Sequence, residues 1–180
     1  LSSDLSFLYI NQKFNLNSTL VLLTRNREKF FKNFPKAQSL EVVEGDIKNF
    51  SFPHEKYDFI IHGATEVAAF QNSTNTSELL DVSYFGTKRI LEFGKIAGTK
   101  KILFLSSGAA YGPQPMDLPM LKEDFAGGPL TSNSESTYGE AKRVGEILLF
   151  NENIPSTSAR IFAAAGPFLP MDSQYAFSQF

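Results

Sequence analysis

Short apolar segments alternate with amphipathic helical segments along this sequence, and this alternation restricts its fold more than any other feature. Brief runs bounded by polar residues are typical of strands in a parallel sheet, which is covered by helices on both faces. The predicted strands are Thr19–Thr24, Leu40–Glu44, Tyr57–Ile61, Lys101–Leu105 and Thr157–Phe162. Strands that alternate with helices indicate βαβ units, so the sequence predicts an open parallel α/β sheet, with Thr19–Thr24 buried on both faces.

The predicted helices include two long ones with a clear apolar periodicity. The helical segments are Leu1–Ile10, Arg25–Phe34, Ser77–Ile96 and Ser134–Phe150, and a loop is predicted from Gly112 to about Ser132. The periodicity of Ser77–Ile96 predicts an inward face on that helix. Its predicted members are Leu79, Leu80, Tyr84, Ile90, Leu91 and Phe93.

Composition and charge exclude several classes of partner. Hydrophobic residues make up 42% of the 180 residues and charged residues 20%, which is typical of a globular protein with a sizeable core. A net charge of −2 would not attract nucleic acid or an anionic membrane. No apolar run approaches the ~20 residues of a membrane span. The absence of Cys fits a reducing compartment, so we expect a cytoplasmic protein.

Ligands of parallel sheets bind beyond the carboxyl ends of the strands, so the residues that follow each predicted strand are the first candidates. They are Arg25, Asp46, His62–Thr65, Ser106–Ala110 and Ala163–Pro167. The sequence has two His and no cluster of carboxylates around them, so we expect no metal site.

Tyr138 and Lys142 are four residues apart and therefore share one face of a predicted helix. A phenol is a poor base at neutral pH, and a neighbouring cation favours its phenolate. The same spacing occurs at Tyr9 with Lys13 and at Tyr84 with Lys88. Taken alone, the pair therefore favours an ordinary surface pair on a helix over a catalytic one.

The order of several motifs is more specific than any one of them. Ser83–Thr87, the strand end Ser106–Gly112 and the Tyr138–Lys142 pair follow one another in an order that resembles the extended short-chain dehydrogenase/reductase family. Nucleotide-sugar epimerases, dehydratases and ketoreductases belong to that family. The resemblance implies a Rossmann-like, doubly wound parallel sheet in three α/β/α layers, incomplete at both ends, and a nucleotide-sugar substrate.

The resemblance also implies roles for three residues. Tyr138 matches the general acid/base that acts on a sugar hydroxyl or ketone, and Lys142 matches the lysine that bonds the nicotinamide ribose and lowers the pKa of the tyrosine. Ser107, rather than Ser106, matches the residue that holds the reacting oxygen. A second interpretation of Ser107 is that its side chain caps the junction between strand and loop.

The resemblance places cofactor contacts at Arg25, Asp46, Ile47, Ala64 and Thr65 as well as at Tyr138 and Lys142. Arg25 stands where an acidic residue would accept the ribose hydroxyls of NAD, and a basic residue there accommodates the 2′-phosphate of NADP. NADP is therefore favoured over NAD, unless Arg25 is only a solvated charge at a helix start. Asp46 and Ile47 match an adenine-contacting pair, or alternatively Gly45–Asp46 is only a turn.

The sequence also departs from the family pattern. Gly108 and Ala109 stand where dehydratases have an Asp-Glu pair, which favours an epimerase or 4-ketoreductase over a nucleotide-sugar 4,6-dehydratase. Ser83 and Ala163 stand where the family often has Asn. Since no Gly precedes Gly45, the phosphate-binding Gly-rich turn is absent, and residues 1–180 are expected to be a partial NAD(P)-binding Rossmann domain from inside a longer enzyme.

Three further expectations concern assembly and alternative functions. The family resemblance implies a homodimer formed through the helices Ser77–Ile96 and Ser134–Phe150. A non-catalytic dinucleotide-binding regulator is the alternative of another class, because fold alone does not establish turnover. A hydrolase with Ser107 as nucleophile is disfavoured, since a Gly-x-Ser-x-Gly elbow is missing and only His54 or His62 could act as base.

Overall fold

The computed structural model describes residues 13–64 and 76–163, and in that part of the chain five strands alternate with three α-helices. In chain order they are β1 (Val21–Thr24), α1 (Arg27–Asn33), β2 (Glu41–Glu44), β3 (Phe59–His62), α2 (Thr76–Ala97), β4 (Lys101–Ser107), α3 (Thr137–Phe150) and β5 (Ser156–Ile161). This order confirms the predicted α/β class. The helix predicted over Leu1–Ile10 lies outside the described residues.

The described strands form two parallel sheets where the sequence predicts one. In the first, β1 pairs with β2; in the second, β4 lies between β3 and β5. The chain also divides into two compact units, of which the second is Ile47–Phe162 and contains the three-stranded sheet. The prediction of parallel pairing is confirmed, because Leu103 pairs in parallel register with both Ile61 and Thr157.

Strand β4 is longer than predicted and carries both serines. The sequence predicts an end at Leu105, but Ser106 and Ser107 pair with Arg160 and Ile161 of β5. Backbone hydrogen bonding therefore continues for two polar residues beyond the apolar run. Ser107 is held by the sheet itself, at its carboxyl edge.

The first unit is smaller, and the core of its described part joins α1 to the two strands. Phe30 of α1 is buried with Ala37 and Val42, and Leu22 of β1 packs against this cluster. Every residue of β1 is only half-buried, so the prediction that this strand is buried on both faces is wrong. Helix α1 begins at Arg27, because the Asn26 side chain accepts a hydrogen bond of 2.7 Å from the Lys29 amide.

Helix α2 confirms most of the predicted inward face and corrects two of its members. Leu79, Ile90, Leu91 and Phe93 are buried, whereas Leu80 and Tyr84 are 39% and 40% exposed. The inward stripe passes instead through Val82 and Gly86. Leu80 and Tyr84 therefore lie on the flank of the helix, where apolar residues do not indicate burial.

Helices α2 and α3 pack against each other, and α3 lies directly on β4. The Ser83 hydroxyl donates a hydrogen bond to the Ala141 carbonyl, which joins the two helices. A Cβ atom on Gly145 would lie 2.5 Å from the ring of Phe104, so only glycine permits this approach of α3 to β4. The α-helix begins at Thr137, after a 3₁₀ turn over Ser134–Ser136, rather than at Ser134 as predicted.

Candidate active site

A tight turn follows β4, and Ser107 organises its start. The Ser107 side-chain oxygen accepts a hydrogen bond of 3.2 Å from the Ala109 amide and so caps the 3₁₀ turn Gly108–Tyr111. The turn ends at Gly112, whose φ of 73° is a left-handed conformation that favours glycine. The capping role that the sequence leaves open is therefore present. It leaves the hydroxyl proton of Ser107 available to donate to a further acceptor.

The first turn of α3 touches this β4 turn. A Cβ atom on Gly139 would lie 2.5 Å from the Ala109 carbonyl oxygen and 2.7 Å from Cγ of Pro129. Such close backbone approach requires glycine at this position. Tyr138, the preceding residue, is half-buried beside the same turn.

Lys142 lies one helical turn after Tyr138 and is buried, with 4% of its surface exposed. Its Nζ atom donates a hydrogen bond of 2.8 Å to the Leu105 carbonyl and is 5.6 Å from the centre of the Tyr138 ring. Burial lowers the pKa of the Lys142 ammonium to about 8. The structure thus places Lys142 beside the Tyr138 ring and bonds it to β4, two residues before Ser107. Gly139, the residue after Tyr138, contacts the turn that Ser107 caps.

His62, at the end of β3, lies behind Lys142 and is 2% exposed. Its Nε2 atom is 3.0 Å from the Thr87 hydroxyl oxygen, and its ring centre is 5.3 Å from that of Phe104. Burial, and secondly the charge of Lys142, lower the pKa of His62 to about 3. The imidazole is therefore neutral at physiological pH, and a polar neutral group lies behind the buried ammonium.

The sequence-based prediction does not include a half-buried ion pair near Ser107, formed by Glu146 and Arg160. The Glu146 carboxylate accepts hydrogen bonds of 2.9 and 2.6 Å from Nε and Nη2 of Arg160, and one of 2.5 Å from the Ser106 hydroxyl. Burial acts to raise the pKa of Glu146, but the hydrogen bonds from Arg160 and Ser106, with the charges of Arg160 and Arg143, outweigh it and hold this pKa below its ordinary value. The available signal was the spacing of Glu146, four residues after Lys142 on the same helical face.

Aromatic side chains line the turn on the side of β5. The guanidinium of Arg160 lies 4.3 Å from the centre of the Tyr111 ring, and the rings of Tyr111 and Phe162 stack with centres 5.9 Å apart. Phe162 is 71% exposed, and a Cβ atom on Gly108 would lie 2.5 Å from its ring. The Phe162 ring thus occupies the space that a side chain at position 108 would need.

The predicted cofactor-binding residues are distributed over both units. Arg25 follows β1 and is exposed, and Asp46 follows β2; both belong to the first unit. Ile47 belongs to the second unit, where it packs against α2, since a Cβ atom on Gly86 would lie 3.1 Å from its side chain. Ala64 is half-buried just after β3. Thr65 lies outside the described residues.

Two kinds of feature are not found within residues 13–64 and 76–163. No three His, Cys, Asp or Glu side chains there are grouped as a metal ion would require. Neither of the long helices in these ranges combines the length and the hydropathy that crossing a membrane demands.

Relatives with curated functions include enzymes of viral origin. The 3 beta-hydroxysteroid dehydrogenase/Delta 5-->4-isomerase of Monkeypox virus is 28% identical over 121 residues, which are 66% of this chain and 34% of that protein. The enzyme of the same name from Vaccinia virus (strain Ankara) matches to the same extent. The chain therefore spans about a third of the length of these curated relatives.

Solved structures resemble the fold over most of the chain. MoeE5 in complex with UDP-glucuronic acid and NAD has a TM-score of 0.71 at 22% identity, over 93% of this chain and 54% of that one. A UDP-galactose 4-epimerase has a TM-score of 0.64 at 21% identity, over 84% of this chain and 50% of that one. The UDP-Glc/GlcNAc 4-epimerase of Campylobacter jejuni has a TM-score of 0.62 at 20% identity, over 84% of this chain and 48% of that one. At these identities the likeness establishes a Rossmann-like fold.

The family model for "NAD dependent epimerase/dehydratase family" matches residues 12–177. This range contains β1 to β5 and the residues gathered around the end of β4. It agrees with the resemblance to extended short-chain dehydrogenases/reductases that the order of the motifs indicates. Because the match covers more than nine-tenths of the 180 residues, this chain belongs to the NAD-dependent epimerase/dehydratase family.

Proposed function

We propose that the protein containing this chain is a nucleotide-sugar epimerase or 4-ketoreductase that uses a nicotinamide dinucleotide. The observation that carries the proposal is the buried ammonium of Lys142, hydrogen-bonded to the end of β4 and 5.6 Å from the Tyr138 ring centre. Burying a charge costs free energy unless hydrogen bonds or an opposite charge offset it, so an ammonium kept buried with one carbonyl partner points to a functional role. Family membership supports the same assignment, as does the fold shared with a UDP-galactose 4-epimerase and with MoeE5 bound to UDP-glucuronic acid and NAD.

In this proposal, Tyr138 transfers one proton, and Lys142 and Ser107 assist the transfer. Tyr138 removes the proton of a sugar hydroxyl and later returns it, and the positive charge of Lys142 favours the phenolate that this requires. The Ser107 hydroxyl donates a hydrogen bond to the reacting oxygen. One donor of the Lys142 ammonium goes to Leu105, so two remain for the hydroxyls of a ribose, which fits a nicotinamide nucleotide. The bound nicotinamide supplies the hydride acceptor.

Elimination of water is the disfavoured variant of this chemistry. Gly108 and Ala109 carry no carboxyl group, and the Phe162 ring fills the space beside Gly108. A 4,6-dehydratase would need its additional acid and base from elsewhere. The alternative of another class is a non-catalytic dinucleotide-binding regulator, which would retain the cofactor and turn nothing over.

The curated relatives favour a second substrate class. Proteins named 3 beta-hydroxysteroid dehydrogenase/Delta 5-->4-isomerase match 66% of this chain. Oxidation of a 3β-hydroxysteroid removes a hydride and a proton from one secondary alcohol. Its needs for a base and a hydride acceptor are those of the oxidation of a sugar hydroxyl, so the same three side chains would serve both.

The preferred cofactor in this proposal is NADP. Arg25 stands at the end of β1, where a basic side chain would favour a 2′-phosphate. NAD remains the alternative, because NAD is the cofactor named for the solved structures of similar fold. We expect Arg25→Ala to raise the KM for NADP about tenfold or more and to leave the KM for NAD within about twofold, since it removes only a charge contact to the phosphate.

We further propose that residues 1–180 are part of a longer enzyme and that this enzyme is a homodimer. Coverage of about a third to a half of the relatives' chains supports the first point. Exposed apolar side chains on α2 and α3, among them Phe85 and Ile147, support the second. Light scattering after size-exclusion chromatography should report a dimer for the full-length protein and a monomer for Phe85→Asp.

The decisive experiment combines a substrate panel with two tyrosine variants in the full-length protein. UDP-sugars, CDP-sugars and a 3β-hydroxysteroid are incubated with NAD or NADP, and products are separated by chromatography, since an epimerase gives no net change in absorbance. We expect turnover of one of these substrate classes, and we expect Tyr138→Phe to lower kcat by 10²-fold or more. Tyr84→Phe is the matched control, because Lys88 lies 5.4 Å from that ring on an exposed face. Cofactor binding without turnover by the wild-type protein would favour the regulator.

A further inference from the structure

The Glu146 carboxylate connects three elements of the second unit. It projects from α3 and accepts hydrogen bonds from Ser106 near the end of β4 and from Arg160 on β5. Only 15% of its side chain and 25% of the Arg160 side chain are exposed, so solvent screens the ion pair weakly. Two parallel N–H···O bonds between a guanidinium and a carboxylate also fix the relative orientation of both groups.

Both ends of the β4 turn are attached to this ion pair. Ser106, which donates to Glu146, directly precedes Ser107, the residue that caps the turn. At the other end, the Arg160 guanidinium lies over the ring of Tyr111, the last residue of the turn. The carboxylate therefore contacts the residue before the cap of the turn directly, and the last residue of the turn through Arg160.

Glu146 belongs to the same helix as Tyr138 and Lys142. We call the side of α3 that carries Tyr138 and Lys142 its reactive face. Glu146 is one turn after Lys142 and two turns after Tyr138, so all three lie along one side of the helix. We propose that Glu146 is a positioning residue that sets Ser107 and the turn it caps at their working distance from this reactive face. This proposal rests on the proposed function, because the distance matters only if Ser107 and Tyr138 act on the same substrate oxygen.

The proposal predicts an effect on chemistry beyond an effect on stability. If the ion pair only stabilised the fold, a variant that lacks it would contain fewer folded molecules, but each folded molecule would have the kcat of the wild type. A positioning residue changes the geometry of the folded protein, and displacement of a reacting group by about 1 Å can cost about 10²-fold in rate. The KM for substrate depends much less on this distance, since most binding contacts are made elsewhere.

The test uses Glu146→Gln in the full-length protein, with Glu152→Gln as the matched control. Glu152 also pairs with a cation, at 2.8 Å from Lys95, but lies just beyond the far end of α3. Hydrogen exchange of the Ala109 and Gly112 amides, whose hydrogen bonds define the turn, measures its order without any substrate. We expect Glu146→Gln to accelerate this exchange about tenfold, as loss of a charged hydrogen bond would, and to leave exchange in β3 unchanged.

Turnover per folded molecule is measured on the substrate found in the panel described above. We expect kcat to fall about 10- to 100-fold with Glu146→Gln, KM to change less than about threefold, and Glu152→Gln to match the wild type. Unchanged exchange in the turn overturns the proposal. Faster exchange with unchanged kcat also overturns it, because the ion pair is then only structural.

Two provisions keep the outcome decisive. If Glu146→Gln does not fold, Ser106→Ala removes a single hydrogen bond to the carboxylate and leaves its pairing with Arg160 in place. The same two measurements then apply, with smaller expected changes. If the wild-type protein turns over no substrate, the proposed function fails, whereas amide exchange still decides whether Glu146 orders the turn.

Discussion

The Nζ atom of Lys142 donates a hydrogen bond of 2.8 Å to the backbone carbonyl of Leu105, two residues before Ser107. The ammonium and the serine are therefore anchored to the same strand. Since Lys142 also lies one helical turn from Tyr138, this one bond ties the reactive face of α3 to the end of β4. The carbonyl oxygen offsets burial of the charge only in part, and the lowered pKa of Lys142 reflects the remaining cost.

Replacing this lysine by an apolar side chain of similar length should stabilise the fold. The pKa of Lys142 is lowered from 10.5 to about 8 in the folded protein. Between these two pH values the unfolded chain therefore binds more protons than the folded protein does. Wild-type stability therefore rises with pH across that window, and the full cost of the buried charge is present below pH 8. We expect Lys142→Met to raise the free energy of unfolding by up to about 3 kcal/mol at pH 7, with loss of turnover.

Urea denaturation at pH 7, 8 and 10 checks this prediction. The difference between Lys142→Met and wild type should shrink as pH rises, because the wild-type ammonium loses its proton. Lys95→Met, at a position that is half exposed, should show no such trend. A less stable Lys142→Met at pH 7 would contradict the argument.

His62 should make the protein sensitive to acid. Its pKa is lowered to about 3 by burial and by Lys142, so the unfolded chain binds an additional proton between about pH 3 and 6.5. Stability contributed by the neutral imidazole is complete above pH 6.5 and is lost as pH falls through this window. We expect His62→Gln to reduce the loss of unfolding free energy between pH 6.5 and 4.5 by about 2 kcal/mol. His54→Gln, at an exposed site, is the control and should follow the wild-type curve.

Gly139 should tolerate no side chain. A Cβ atom there would meet the Ala109 carbonyl oxygen at 2.5 Å, and a backbone atom in a capped turn cannot move aside cheaply. We expect Gly139→Ala to cost about 2 to 3 kcal/mol of unfolding free energy and to lower kcat, since α3 would move away from the turn. Glu140→Ala tests the neighbouring position of the same helix. Thermal denaturation and single-turnover rates of both variants would decide the matter, and equal stability of the two would refute the prediction.

Gly108 should behave differently, because its obstacle is the side chain of Phe162. That ring is 71% exposed and able to swing away, at the loss of its stacking on Tyr111. We expect Gly108→Ala to cost about 1 kcal/mol, the value of an aromatic pair. In a Phe162→Ala background the same substitution should cost close to nothing. A double-mutant cycle measures this coupling, and simple additivity of the two changes would show that the ring does not limit the site.

Local pattern was enough to predict most of the elements, and the order of the motifs was enough to predict the family. Runs such as Lys101–Leu105 and the periodicity of Ser77–Ile96 determine strand and helix because side-chain spacing along the chain matches the geometry of each element. The order of Ser107, Tyr138 and Lys142 along the chain indicated the family, which the family match confirms. Their catalytic roles and the cofactor contacts at Arg25 and Asp46 stay predictions.

Tertiary structure alone decided how these elements meet. Leu80 and Tyr84 have the spacing of a core stripe, yet they are exposed, because what packs on a helix flank depends on neighbours that its own periodicity does not specify. Glu146 is hydrogen-bonded to Ser106, which is 40 residues away in the sequence, and to Arg160, which is 14 residues away. Such pairs form only after β4, α3 and β5 have packed, since each polar partner is selected by distance and desolvation at the packed interface and not by its position in the sequence.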